Sequence, residues 1–149
     1  VAIRCRTFVD ELWNLARVYR KGGELELKTD DCRNFKEDNH RLSGAPGAWI
    51  AYHVAGPVRN VRVYAFGGTN SLAGLEFMAG SDPEGATKLT AVRKDYPSGN
   101  EMYKFRPPTL FTLGALPDGG SDLVIRFQGE TQISRIEIEY GQPPQSQAK

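Results

Sequence analysis

The sequence contains few of the features that identify an enzyme, a membrane protein or a nucleic-acid-binding protein. Its 149 residues include two cysteines and two histidines, and no apolar run approaches the ~20 residues that a membrane-spanning helix needs. The formal net charge is +1, which favours neither a nucleic-acid partner nor an acidic solubilising role. We therefore expect a monomer that binds neither nucleic acid nor a membrane.

The two cysteines, Cys5 and Cys32, do not form a recognisable metal or redox motif. A disulfide between them would add about 3 kcal/mol and would imply an oxidising compartment. The alternative is two separate thiols that behave as small buried hydrophobes, and the spacing does not decide between these states. The histidines are too far from the cysteines in sequence for the ligand spacing of a zinc site.

Motifs for nucleophilic or phosphoryl-transfer chemistry are also absent. No Gly-x-Ser-x-Gly elbow occurs, and the glycine-rich stretches 43–47 and 67–70 lack the Gly-Lys-Ser/Thr of a phosphate-binding loop. His40 and His53 have no partnering serine or cysteine motif, and we interpret His53 as a polar surface residue. The sequence therefore favours a protein that is not an enzyme.

The most informative stretch extends from Trp49 to Phe66. It contains two runs, 49–54 and 58–66, that alternate in polarity with period two and are separated by Gly56-Pro57, which is typical of β-strands. One face of these runs is aliphatic and suits a core; it carries Ile50, Tyr52, Val54, Val61, Val63 and Ala65. The other face is aromatic and cationic, as in a binding surface; it carries Trp49, His53, Arg62, Tyr64 and Phe66.

Further short runs predict an all-β protein. Residues 4–20 are compatible with either a helix or a strand, whereas 29–47 is polar and rich in turn residues. The other predicted strands are 24–28, 75–79, 87–93, 102–106, 110–113, 122–127 and 132–140. About nine short strands with turns every 8–12 residues predict an antiparallel β-sandwich of the jelly-roll kind.

We expect one domain over residues 1–141, followed by an exposed tail or linker at 142–149. A chain of this length buries roughly 70% of its unfolded surface as a single domain. The sequence begins with neither an initiator Met nor a signal peptide, so we expect a mature or excised piece of a larger protein.

The order of several motifs resembles that of a known group of modules. The matching segments are Asp10–Tyr19, Asp38-Asn39-His40-Arg41, Ile50–Val54, Ser81–Gly85, Leu116–Gly119, Leu123–Phe127 and Ile133–Gly141. In this order they resemble the galactose-binding-domain-like jelly-roll modules that are appended to secreted bacterial glycoside hydrolases and polysaccharide lyases. The sequence departs from the pattern where Leu12 and Leu15 replace aromatic residues and where Glu84 interrupts an Asp-Gly turn.

The resemblance implies a non-catalytic carbohydrate-binding module. Its partners would be a polysaccharide or oligosaccharide and an attached catalytic domain, and its location would be extracellular or periplasmic. Such modules vary their binding residues freely, so the resemblance assigns no ligand and supports function only by analogy.

Aromatic and cationic side chains are the candidate ligand-binding groups. Indole rings stack on the C–H faces of sugars, and guanidinium groups bond carboxylates or sulfates in a planar fork. The candidates are Trp13, Trp49, Arg62, Tyr64, Tyr103 and Arg126. Grouped in one patch, the arginines and tyrosines would suit an acidic or sulfated polysaccharide. The alternatives are tryptophans that cap sandwich edges and an ordinary solvated sheet face with cross-strand pairs.

Scattered carboxylates raise the possibility of one structural calcium ion. Calcium prefers six to eight oxygen ligands, often from loops, and we select Asp10, Asp38 and Glu139 as candidate ligands. No Asp-x-Asp-x-Asp-Gly loop is present, and simple surface solvation is the alternative.

Two other functions remain open at this stage. One is a structural or protein-interaction module that packs against a neighbouring catalytic domain. The other is a small lyase or hydrolase, which would need a cluster of Tyr, His, Arg or paired carboxylates in a groove. The sequence shows no such cluster.

Overall fold

The computed structural model describes residues 5–27, 41–67, 73–96, 108–129 and 131–141. These residues contain twelve β-strands and a 3₁₀ turn at Pro117–Gly119. The strands are β1 (Cys5–Asp10), β2 (Arg20–Gly22), β3 (Leu25–Leu27), β4 (Leu42–Gly44), β5 (Trp49–His53), β6 (Val58–Phe66), β7 (Leu75–Ala79), β8 (Thr87–Leu89), β9 (Val92–Asp95), β10 (Pro108–Leu113), β11 (Asp122–Phe127) and β12 (Thr131–Gly141).

The strands form two antiparallel sheets that pack as a β-sandwich. Sheet A has the order β3-β4-β12-β6-β10-β9, and β1 also pairs with β12. Sheet B has the order β2-β5-β11-β7-β8. The long strand β12 pairs with β4 through residues 131–133 and with β1 through residues 136–141, so both short strands share one of its edges. This architecture confirms the predicted all-β jelly-roll sandwich.

The alternation of the two central strands sets the core as predicted. In β5, Ile50 and Tyr52 are buried, and in β6, Val61, Val63 and Ala65 are buried. They join aliphatic and aromatic side chains of β7, β10, β11 and β12 in one cluster between the sheets. Full burial of a side chain of this size contributes roughly 1.5–3 kcal/mol, so this cluster fixes which face of each strand points outward.

Three predictions about secondary structure need correction. The ambiguous segment forms strands β1 and β2 with an irregular connection between them, and strand β4 lies inside the predicted loop 29–47. The predicted single strand 87–93 is two strands, because β8 belongs to sheet B and β9 to sheet A. The predicted strand 102–106 and the tail 142–149 lie outside the described residues.

Cys5 is exposed at the start of β1 and its thiol is free, whereas Cys32 lies outside the described residues. Within the described ranges, no helix is long and apolar enough to cross a membrane.

Candidate functional site

Four of the six predicted ligand residues lie on two opposite faces of the sandwich. Trp49 and Arg126 lie on the outer face of sheet B, and Arg62 and Tyr64 lie on the outer face of sheet A. Strands β5 and β6 follow each other in sequence but belong to different sheets, so the core separates their polar faces. The prediction that Arg62, Tyr64 and Arg126 form one patch is therefore wrong. Tyr103 lies outside the described residues.

Trp49 is held in a fixed position on the outer face of sheet B. It pairs with Gly22 of β2 on one side and with Arg126 of β11 on the other. The indole lies against Gly22, because a Cβ atom at that position would be 2.4 Å from the indole Nε1. Glycine at position 22 thus lets the ring rest on the backbone of β2 while part of the ring stays exposed. A ring fixed in this way loses little side-chain entropy when a ligand binds.

Arg126 belongs to an ion-pair network next to Trp49. Its Nε donates to Glu76 Oε1 at 2.8 Å, and Lys88 Nζ lies 3.2 Å from Glu76 Oε2. The hydrogen bond from Arg126 lowers the pKa of Glu76; burial opposes this shift and Lys88 adds to it. The carboxylate therefore stays ionised at neutral pH and binds the guanidinium of Arg126 from β7, the strand on the other side of β11 from Trp49.

The middle of the same face is closed by small apolar side chains. Ala51, Met78 and Val124 point away from the main core yet are buried, and Trp49 and Ala86 pack against them. Arg20 Nη2 lies 3.6 Å from Asp82 Oδ2, which links strand β2 to the turn that follows β7. This turn therefore folds over the centre of sheet B.

A second polar and aromatic cluster lies at the other end of β5. His53 Nδ1 contacts Asp122 Oδ1, its partner on β11, and the ring centroid of Tyr19 is 5.4 Å from that of His53. Sequence reasoning identified His53 only as a surface residue and did not single out Tyr19, Asp122 or Glu76. The alternation of the sequence indicated the outward positions of Glu76 in β7 and Asp122 in β11. It did not indicate which side chains these residues contact.

The outer face of sheet A is more polar. Arg62 pairs with Glu137 of β12 and Thr112 of β10, and the half-buried Tyr64 pairs with Arg135. A shallow depression of about 180 Å³ lies on this face, lined by Thr7, Asn60, Arg62, Glu137 and Glu139. Arg135 Nε donates to Glu137 Oε2 at 2.6 Å, and this bond raises the pKa of Arg135 despite opposing burial.

Trp13 lies on neither sheet face. It follows β1 in the connection that leads to β2, and its side chain is 64% exposed. The adjacent depression of about 330 Å³ is lined by residues 9–14 together with Ala16 and Arg17. Trp13 therefore lies in a connection between strands, whereas Trp49 lies on β5 of sheet B.

The candidate calcium ligands Asp10 and Glu139 do not share a site. Asp10 is 3% exposed, and its two oxygens accept hydrogen bonds from the Leu12 N–H at 2.9 Å and the Tyr52 hydroxyl at 2.7 Å. Glu139 lies opposite Thr7 on the outer face of sheet A. The structure therefore does not bring Asp10 and Glu139 together in one calcium site as predicted. Asp38 lies outside the described residues. Among the residues that the structure describes, no group of three His, Cys, Asp or Glu side chains could hold a metal ion.

Asp10 instead joins the two sheets. The Tyr52 hydroxyl on β5 of sheet B bonds to the Asp10 carboxylate on β1 of sheet A. Burial raises the pKa of Tyr52 well above its usual range, and the charge of Asp10 and the hydrogen bond raise it further. The phenol therefore stays protonated and acts as a donor.

Solved structures of carbohydrate-binding modules share this fold. The chain is 12% identical to a family 6 carbohydrate-binding module from Clostridium cellulolyticum, solved in complex with xylose, with a TM-score of 0.52 over 88% of this chain and 95% of that one. It is 13% identical to the C-terminal family 6 module of a marine laminarinase from Zobellia galactanivorans, with a TM-score of 0.50 over 89% of this chain and 98% of that one. No protein-family model matches the sequence, and no curated protein sequence matches it. At these identities the likeness establishes the jelly-roll fold, and a ligand has to be argued from this chain's own residues.

Proposed function

We propose that this protein is a non-catalytic carbohydrate-binding module whose site is the outer face of sheet B around Trp49. The observation that carries the proposal is the partly buried indole, which rests on Gly22 of β2 while Trp49 pairs with Arg126 of the Arg126–Glu76–Lys88 network. Sugar rings present C–H faces that stack on indole, and charged side chains make strong hydrogen bonds to hydroxyl groups. The fold shared with two modules named for carbohydrate binding supports the proposal.

The charges on this face favour a neutral glycan. Among the residues that the structure describes, three cations of this face lie next to a carboxylate: Arg126 and Lys88 flank Glu76, and Arg20 pairs with Asp82. Asp122, another carboxylate of this face, is engaged with His53. The positive charge of these side chains is thus balanced. An acidic or sulfated polysaccharide was expected only if Arg62 and Arg126 formed one patch, and they lie on different sheets. Hydrogen bonds to neutral hydroxyl groups suit the balanced face better.

The environment of Glu76 does not suit the role of a general acid, which supports the proposal of a binding face. Glycoside hydrolases use a pair of carboxyl groups and need a raised pKa on the one that acts as general acid. Glu76 has a lowered pKa between two cations. We therefore propose that the module tethers an attached catalytic domain to its substrate outside the cytoplasm, which raises the local concentration of the enzyme.

A structural or interaction module is the second candidate function. On the outer face of sheet A, Val92 is 72% exposed, and it lies on strand β9 opposite Thr112 and diagonal to the half-buried Leu110 of β10. Contiguous exposed apolar surface marks protein contacts. This face could pack against the attached domain while sheet B binds the glycan.

A structural calcium ion is a separate proposal that rests on the acidic sequence around Asp30, Asp31 and Asp38. Calcium that binds only the folded state raises the unfolding temperature. Thermal unfolding in calcium and in EDTA would therefore differ, and equal unfolding temperatures would reject the ion.

Binding to an array of neutral, uronic and sulfated polysaccharides tests the proposed function. We expect the wild-type protein and Trp13→Ala to bind neutral polysaccharides and Trp49→Ala to lose that binding, with all three folded by circular dichroism. Release of reducing sugars during the incubation would contradict the non-catalytic role. Absence of binding to every glycan would make the interaction module the leading function.

A further inference from the structure

A second exposed aromatic side chain lies on the same face as Trp49. Tyr19 is 58% exposed, and its ring is tilted by 37° relative to the His53 ring. The backbone N–H of Tyr19 donates to Ala51 O at 2.8 Å, which fixes this residue beside β5 just before strand β2 begins. The backbone of Tyr19 is therefore held beside β5, and its ring lies next to that of His53.

The Tyr19 cluster and Trp49 are separated by the length of β5. Trp49 and His53 have the same parity on the strand and point to the same side. Four residues of extended chain span about 13 Å, which exceeds the width of a single sugar ring. A ligand that contacts both ends must therefore be an oligosaccharide.

Polar groups lie between the two ends. The Arg20–Asp82 pair crosses the middle of the face, and both side chains are about half exposed, at 50% and 41%. Exposed pairs of this kind contribute about 0–1 kcal/mol, so a ligand hydroxyl can share or replace their contact at little cost. Near Tyr19, the contact with Asp122 occupies His53 Nδ1, so the other ring nitrogen, Nε2, is left to bond a hydroxyl.

We infer that the binding site extends along β5 from Trp49 to the Tyr19–His53–Asp122 cluster and accommodates an extended stretch of a neutral polysaccharide. This inference rests on the proposed carbohydrate-binding function and deepens it. A terminal sugar or a monosaccharide would contact only one of the two aromatic ends. A polysaccharide chain parallel to the strand would pass over the Arg20–Asp82 pair, which lies above the buried Ala51, and would stack at both ends.

Calorimetric titration with oligosaccharides of increasing length tests the inference. The probes are neutral cello-, laminari- and xylo-oligosaccharides from disaccharide to hexasaccharide. For the wild-type protein, we expect affinity to rise with length until the site is filled. Tyr19→Ala should lower the affinity for the longest oligosaccharide about fivefold and leave the affinity for the disaccharide unchanged. Tyr19→Phe, which keeps the ring, should retain most of the length dependence.

Different outcomes separate failure of the inference from failure of the proposed function. If Trp49→Ala weakens binding at every length while Tyr19→Ala matches the wild type at every length, the function stands and the extended site is rejected. If the wild-type protein binds no oligosaccharide, both are rejected. Equal unfolding temperatures for the Tyr19 variants and the wild type would show that the measured losses come from the binding face.

Discussion

The two outer faces of the sandwich contain similar residue types but use them differently. Each face places an arginine near an aromatic residue: Arg126 near Trp49 on sheet B, and Arg62 near Tyr64 on sheet A. On sheet B, glycine at position 22 lets the indole lie on the neighbouring strand β2, and Glu76 of β7 binds the arginine. On sheet A the surroundings are charged and hydroxyl side chains around a shallow depression. The neighbouring strands, more than the residues themselves, decide which face can stack a sugar.

The strongest test of this comparison removes one aromatic ring from each face. We expect Trp49→Ala to weaken binding of a neutral polysaccharide by roughly thirtyfold, or about 2 kcal/mol, as for a central tryptophan in a binding surface. Tyr64→Ala, the matched change on sheet A, should leave the affinity within twofold of the wild type. Affinity electrophoresis in polysaccharide-containing gels measures both. Equal losses in the two variants would show that the faces do not differ in this way.

We expect the next largest effect from removal of the hydrogen bond between Tyr52 and Asp10, which joins the two sheets. Tyr52→Phe leaves one oxygen of the buried Asp10 carboxylate without its donor, which costs about 1.5 kcal/mol of unfolding free energy. Urea unfolding at pH 7 measures this loss. Because the bond lies in the core, glycan affinity of the folded variant should remain that of the wild type. A large loss of affinity at unchanged stability would instead connect the core bond to the binding face.

Substitution of the glycine beneath Trp49 sharpens the comparison. Gly22→Ala would place a methyl group 2.4 Å from the indole nitrogen, so the ring must move off β2, and we expect about fivefold weaker binding. Gly114→Ala is the matched control, since a Cβ atom there meets nothing within 4 Å. Calorimetry measures the glycan affinity of both variants, and tryptophan fluorescence reports the environment of the indole ring. Unchanged emission and affinity in Gly22→Ala would show that the position of the ring is not set by this glycine.

The smallest effect concerns the ion pairs beside Trp49. Glu76→Gln should lower the unfolding free energy at pH 7 by less than about 1 kcal/mol, because Lys88 and Arg126 are partly exposed. The native pKa of Glu76 is lowered, so its contribution is complete above the unfolded pKa of about 4.3 and is lost as the pH falls through the native pKa. Denaturant unfolding at several pH values should show the wild type and the variant converging in acid. A difference that stays constant with pH would exclude the ionised pair as its cause.

The period-two alternation of apolar and polar residues predicted much of the fold, because burial of one face imposes this alternation on each strand separately. The strands at 58–66, 75–79 and 122–127 have the predicted bounds, and the aliphatic side of the Trp49–Phe66 stretch is buried as expected. Strands β2 and β4 were missed because their sequences, unlike that of the equally short β3, end in glycine and show no repeated alternation of apolar and polar side chains.

The arrangement of the site could not be predicted in the same way. Periodicity assigned Arg62 and Trp49 to outward faces, but it does not tell which sheet a strand joins, and β5 and β6 separate at the turn between them. The contact between Glu76 and Arg126 joins two strands that are distant in sequence. The position of Gly22 under the indole depends on the pairing of β2 with β5, which no local pattern contains.

A nuclear magnetic resonance titration of the uniformly ¹⁵N-labelled protein with a neutral oligosaccharide tests the central claim most directly. The two indole N–H signals report the two tryptophans separately, and the backbone amides report each sheet. We expect shifts of the Trp49 indole signal and of amides in β5 and β11. The signals of the Trp13 indole and of the Arg62 and Tyr64 amides should remain unchanged. Shifts confined to Trp13 or to sheet A would contradict the assignment of the carbohydrate site to sheet B.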